Sequence, residues 1–172
     1  MDEKSLDVLE FPKIREILAG FASFYLSREL ALQTMPLTDA AAIDRSLRLS
    51  AEARRLLSRD PDLSIGEMAD IRQEVALAAR EKVLDLATLA AIGSAVRLLN
   101  RLRRSLIALK AEAPLLGELA ERMVPLGRVE TEIARCIEPS GELSSSASPR
   151  LAALREEIRH AREHLLGRLE RL

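Results

Sequence analysis

The densest chemistry in the sequence is His160-Ala161-Arg162-Glu163-His164. Its H-x-x-E-H spacing is that of inverted zinc peptidases. Two histidines four apart point the same way from a helix and can share a zinc ion. A catalytic zinc needs a third protein ligand and an open position as well. Few residues follow His164, and the carboxylates upstream have no distinctive spacing. Arg and Glu crowd the same stretch, the composition of a solvated helix face. The expectation is a charged surface with no metal ligand, and a zinc enzyme built on His160, Glu163 and His164 is the rival.

Cys136 is the single cysteine and has no histidine near it in sequence. A reactive thiol needs an electropositive, partly exposed setting, so Cys136 reads as a structural or incidental thiol and not a nucleophile. The seven glycines are scattered singly, and no G-x-x-x-x-G-K-[ST] occurs. Without such a loop no backbone amides converge on phosphates. No G-x-S-x-G elbow occurs either. The segment therefore carries no expected catalytic residue and no expected cofactor site.

Two arginine rows remain. Arg97, Arg101 and Arg104 stand at i, i+4 and i+7, with Arg103 beside them, and few acidic residues lie close in sequence. Arg155, Arg159 and Arg162 repeat the spacing near the end, where Glu156, Glu157, Glu163 and Glu170 can pair with them. Rows of this kind can follow a phosphate backbone. Both are candidate nucleic-acid contacts, and ordinary solvated faces are the alternative for both. No aromatic residue is interleaved with either row, so base stacking is not expected.

Helices must position these rows. Of 172 residues, 48% are apolar and 31% charged, enough for one domain with a real core. The 26 basic and 27 acidic residues nearly cancel to a net charge of −1, so any nucleic-acid binding must be local. Phe11, Phe21, Phe24 and Tyr25 are the only aromatic residues, and the remaining core is Leu, Ile, Val and Ala. That mixture suits packed helices better than a β-sandwich. The lone cysteine, the absence of a signal-like start and the absence of a long apolar run point to a reducing, cytoplasmic setting without a membrane span.

About eight helices are expected. Ser5–Leu9 gives a first turn, and Pro12 opens a helix carrying Ile14, Ile17, Leu18 and Phe21. A short helix spans about Ser27 to Thr34. Thr38 or Asp39 caps the next, which Asp60-Pro61-Asp62 ends as a turn. Asp70–Arg80 reads as a helix with Ile71, Val75, Leu77 and Ala78 inward. Asp85 caps a long helix to about Ala111, Pro114 opens a short one, and Val129, Ile133, Ala134 and Ile137 mark another. Glu138–Ser148 is a break, in which very short strands around Ile137 and Leu143 can pair. Ser148-Pro149 then starts a last helix with an apolar line at Leu151, Leu154, Ile158, Ala161, Leu165, Leu169 and Leu172. Its steps of three and four are those of a coiled-coil seam. The pattern is still running at Leu172, which reads as a segment of a longer protein.

Particular strings resemble one family. Leu9-Glu10-Phe11-Pro12-Lys13-Ile14 is similar to the opening of the bacterial MutS-two family, the recombination-suppressing endonuclease paralogues of MutS. Leu26-Ser27-Arg28-Glu29, Pro36, Glu52-Ala53-Arg54-Arg55-Leu56-Leu57, Asp70-Ile71-Arg72 and Val83-Leu84 follow in order. The most specific match is Gly141-Glu142-Leu143 with Ser146-Ala147-Ser148-Pro149-Arg150-Leu151, then Leu154-Arg155 and Ile158. Ser145 stands where the family usually has an acidic residue.

The resemblance implies an all-α core or lever domain over residues 1–147 and the start of a coiled-coil clamp arm over 148–172. It implies a longer parent protein: dimeric, with a later ATPase domain using ATP and Mg²⁺ and a C-terminal Smr nuclease domain. Its partners would be branched DNA, in the suppression of recombination, or collided ribosomes through rRNA. The segment itself would be non-catalytic and would link ATPase to clamp. The alternative is a stand-alone helical module for protein–protein interaction or dimerisation.

Overall fold

The computed structural model describes residues 3–138 and 141–169, the side chains of residues 3, 165 and 167–169 excepted. Among the described residues the chain is all-α. Nine helices run in order: α1 (Glu3–Val8), α2 (Phe11–Gly20), α3 (Tyr25–Gln33), α4 (Ala40–Arg59), α5 (Arg72–Ala78), α6 (Leu86–Ala108), α7 (Pro114–Arg122), α8 (Gly127–Cys136) and α9 (Pro149–Leu169). Short 3₁₀ turns lie at Pro61–Leu63 and Ser145–Ala147. The expected punctuation sets most of these boundaries. The Asp39 carboxylate accepts from the amides of Ala41 and Ala42 at 3.3 and 3.1 Å and so caps α4. Asp85 accepts from the Thr88 amide at 2.7 Å ahead of α6. Ser148 Oγ accepts from the Leu151 amide at 3.1 Å, with Pro149 at the first position of α9.

The chain divides into two compact units. One gathers Met1–Gln73 with Ala95–Pro125, the other Glu74–Ser94 with Leu126–Leu172. In the first unit α2 packs on α1 and α3, and α4 packs on α7 and on the 3₁₀ turn that follows it. Its buried apolar residues are small or few: Leu6, Ala19, Ala31, Leu56, Ala95, Val96, Ala113 and Ala120. Alanine lets helices approach but buries little area, so polar ties carry much of the organisation.

The chief tie is Glu52, on α4 and only 5% exposed. Helix α7 begins without a capping side chain of its own: Ala113 precedes it, and Pro114 at its first position has no amide. The next two amides, of Leu115 and Leu116, donate to the two Glu52 carboxylate oxygens at 3.4 and 3.0 Å. A negative charge at a helix N-terminus is favourable in its own right. The following residue, Gly117, lies so close to Lys110 that a Cβ would stand 2.5 Å from its Cγ.

A second tie holds the start of α5. The Arg72 guanidinium forks onto Glu29 of α3, with Nη1 and Nη2 at 3.0 and 2.9 Å from its oxygens. It also donates to Asp70, Nη2 to Oδ2 at 2.7 Å, and lies 4.7 Å from the centre of the Tyr25 ring. Hydrogen bonding from Arg72 holds the Asp70 carboxyl well below the usual carboxylate range. The same bonds to Asp70, then to Glu29, raise the Arg72 value. Partial withdrawal from water and the nearby Asp70 push the Tyr25 phenol up.

In the second unit α8 crosses the first part of α6 at Gly93. A Cβ there would stand 2.7 Å from Ile133 Cγ2, so only glycine permits this approach without a shift. Beyond α8, Ile137 and Leu143 form an isolated antiparallel bridge, where the sequence pointed to paired short strands. Arg135 then gathers the serine run: its Nη1 donates to the carbonyls of Ser146 and Ala147 at 2.7 and 3.2 Å, and Ser146 Oγ donates back to the Arg135 carbonyl at 2.9 Å.

Two expectations need correction. Helix α5 is shorter than Asp70–Arg80, because Asp70 turns back to accept from the Arg72 amide at 3.1 Å and so precedes the helix. At its other end Glu81 takes the left-handed conformation, φ 58°. Val75, Leu77 and Ala78, expected inward, are exposed, and Ile71 is half-buried. The α2 stripe forms at the expected spacing and is largely exposed among the described residues, with Ile17 64% and Phe21 83% exposed.

Two outcomes follow. Glu52→Ala should lower the unfolding free energy by about 1–3 kcal/mol, the cost of leaving buried amide donors unmade, while Glu52→Gln, which keeps one acceptor, should lose less; urea titration measures both. Asp70 has a depressed folded value, so its stabilisation is present above its ordinary value of 3.8 and is lost as pH falls below it. The melting-temperature gap between the native chain and Asp70→Asn should therefore be constant near neutrality and close below about pH 4. A gap independent of pH down to acid would contradict the clasp.

Candidate nucleic-acid interface

Helix α6 carries the first arginine row. Arg97, Arg101 and Arg104 are all exposed and lie along one edge, separated by about 6 and 4.5 Å of axial rise. Arg103, adjacent in sequence, points elsewhere: its Nε donates to the Met123 carbonyl, just past the end of α7, at 3.0 Å. The helix is thus rotated so that one arginine binds inward and three stay outward. Arg104 Nε makes only a long bond, 3.3 Å, to the Asn100 carbonyl of its own helix. Arg97 and Arg101 have no ion pair or hydrogen bond among the described residues. Uncommitted guanidinium groups on a rigid helix can grip phosphate oxygens bidentately.

The acidic surroundings are less sparse than the linear sequence indicated. Asp60 and Asp62, from the turn after α4, line the same small cavity as Arg101. They are about 40 residues away in sequence, so only the fold brings them there.

The second row fares differently. Arg155 donates from Nη2 to the Leu143 carbonyl at 2.6 Å and from Nη1 to Ser145 Oγ at 2.7 Å, fastening α9 to the turn before it. Arg159 pairs with Glu156. Arg162 is exposed and has no partner among the described residues. Glu170 and Leu172 lie outside the described residues, as do the side chains of Leu165 and Leu169.

His160 stands between two carboxylates of its own helix, Nε2 at 3.2 Å from Glu156 and Nδ1 at 3.7 Å from Glu163. Among the described residues no three His, Cys, Asp or Glu side chains gather to hold a metal ion. Cys136 is half-buried, and its carbonyl accepts from the Ser144 amide at 2.8 Å beside the bridge. Helical spacing alone did not reveal Arg135, Glu52 or the Arg72 clasp. Long-range pairs leave no periodic signal, although Glu29, Glu52, Asp70 and Arg72 all fall inside the strings that resembled the family.

No family model matches the chain. Individual proteins do. It is 37% identical over 175 residues to the endonuclease MutS2 of Thermomicrobium roseum, covering 100% of this chain and 22% of that protein. It is 31% identical over 172 residues to endonuclease MutS2 of Pelotomaculum thermopropionicum, again with 100% and 22% covered. With the Symbiobacterium thermophilum protein of the same name the identity is 32% over 170 residues, 99% of this chain and 21% of the relative. The chain spans about a fifth of the length of these relatives, and matched along that whole span it belongs to the MutS2 family.

Proposed function

We propose that the chain is a non-catalytic core or lever segment of a MutS2-type protein, residues 1–147, continuing from 148 into the start of a coiled-coil clamp arm. In this reading it transmits movement between an ATPase and a clamp, as rigid helices can. ATP and its Mg²⁺ belong to a separate ATPase domain of a dimeric parent, since the scattered glycines of this chain form no phosphate-cradling loop. The relatives carry the name endonuclease, so the parent's chemistry would be nucleic-acid hydrolysis, and its partner branched DNA. The collided ribosome, through rRNA, is the competing partner.

One observation supports nucleic-acid contact within this segment: Arg97, Arg101 and Arg104 form an outward row with little else to bind. The contact would be with backbone phosphates and carry no sequence preference. Of the second row, Arg162 is the member left for such a contact.

A second reading has its own support. Leu154 and Ile158 on the expected seam of α9 are 45% and 52% exposed, which suits a helical partner and a dimerisation module. Sedimentation equilibrium separates the two: a dimer with no nucleic-acid affinity favours the second.

Under the first reading, binding of this chain to a labelled DNA duplex should weaken steeply with salt, the log–log slope gaining about −0.9 per phosphate contact. Arg97→Gln, Arg101→Gln and Arg104→Gln together should lower the affinity and flatten that slope by about 2–3. Equal affinity and slope in the triple variant would exclude the row. The same titration with an rRNA helix ranks the two partners.

A further inference from the structure

Arg101 differs from its neighbours in what it faces. With Asp60, Asp62, Ser64, Leu102 and Ser105 it lines a cavity of about 160 Å³, and neither Arg97 nor Arg104 does. Two acidic residues thus border the same cavity as Arg101, yet Arg101 has no ion pair within 4.0 Å among the described residues. They are held there by the local backbone. Helix α4 ends at Arg59, and Asp60 Oδ1 accepts from the Asp62 amide at 3.1 Å to shape the 3₁₀ turn begun by Pro61. Their position therefore does not depend on Arg101.

We infer that Asp60 and Asp62 are a built-in competitor for phosphate at Arg101, an inference that rests on the arginine row being a backbone-binding edge. A phosphate approaching Arg101 comes to a cavity that two aspartates border. Like-charge repulsion and the existing attraction between Arg101 and the aspartates both oppose it. Arg97 and Arg104 bind without that opposition. The device weakens non-specific association and penalises partners that place a phosphate at the centre of the row.

The test is a double-mutant cycle on this chain, read by fluorescence anisotropy of a fluorescein-labelled DNA duplex at low salt. Asp60→Asn with Asp62→Asn should tighten binding about 1.5- to fivefold, the range that exposed charge pairs supply. Asparagine also shapes such turns, so the 3₁₀ turn is kept. Asp62→Asn alone, at a side chain outside that turn bond, should give part of the gain. In an Arg101→Gln background the gain should vanish. Glu67→Gln, an exposed carboxylate outside the cavity, should change nothing. No tightening, or equal tightening with Arg101 absent, overturns the competitor while leaving the row intact. If the arginine variants themselves leave affinity unchanged, the backbone-binding reading fails and takes the competitor with it.

Discussion

Helix α7 starts on a proline, after an alanine, and brings no cap of its own. Its first free amides are met by Glu52 from α4, 63 and 64 residues earlier in the chain. That bond orders the unit containing it. It docks α7 on α4, where Arg45–Glu118 at 2.9 Å and Arg59–Glu112 add exposed pairs worth little alone. Just past the far end of α7 the Met123 carbonyl accepts from Arg103 of α6. Arg103 is turned in, and Arg97, Arg101 and Arg104 are turned out.

The same economy runs through both units. With four aromatic residues and mostly alanine at the closest contacts, burial supplies a modest share of the order. Directional polar ties do the rest: Arg72 between Glu29 and Asp70, and Arg135 and Arg155 around the turn before α9. An arginine fork is suited to this work because its five donors are fixed in a plane. Arginine abundance in the sequence is therefore partly structural, and a row of arginines is not by itself a binding surface.

Helix boundaries were largely legible in the sequence because they are local. Asp39, Asp85, Ser148-Pro149 and Pro114 act within three or four residues of where they stand. Faces were less legible. Periodicity shows that α2 has an apolar stripe, but what covers it is a matter of packing partners, and Ile14, Ile17, Leu18 and Phe21 stay largely exposed among the described residues. Val75 and Leu77 were misplaced for the same reason. The candidate site divides along similar lines. Spacing put Arg97, Arg101 and Arg104 on one edge of a helix, and all three are exposed on α6, whereas the employment of Arg103 and Arg155 depends on carbonyls elsewhere in the chain. Asp60 and Asp62 beside Arg101 were out of reach of any local reading.

Membership of the MutS2 family gives this segment a setting, and its geometry gives a specific place to look. The most direct measurement is an amide and arginine-Nε NMR titration of the chain with a DNA duplex. The account predicts shifts concentrated on Arg97, Arg101, Arg104 and the Asp60–Ser64 turn, with Arg103 and Arg155 unmoved. Shifts confined to α9, or none at all with duplex in excess, would contradict it.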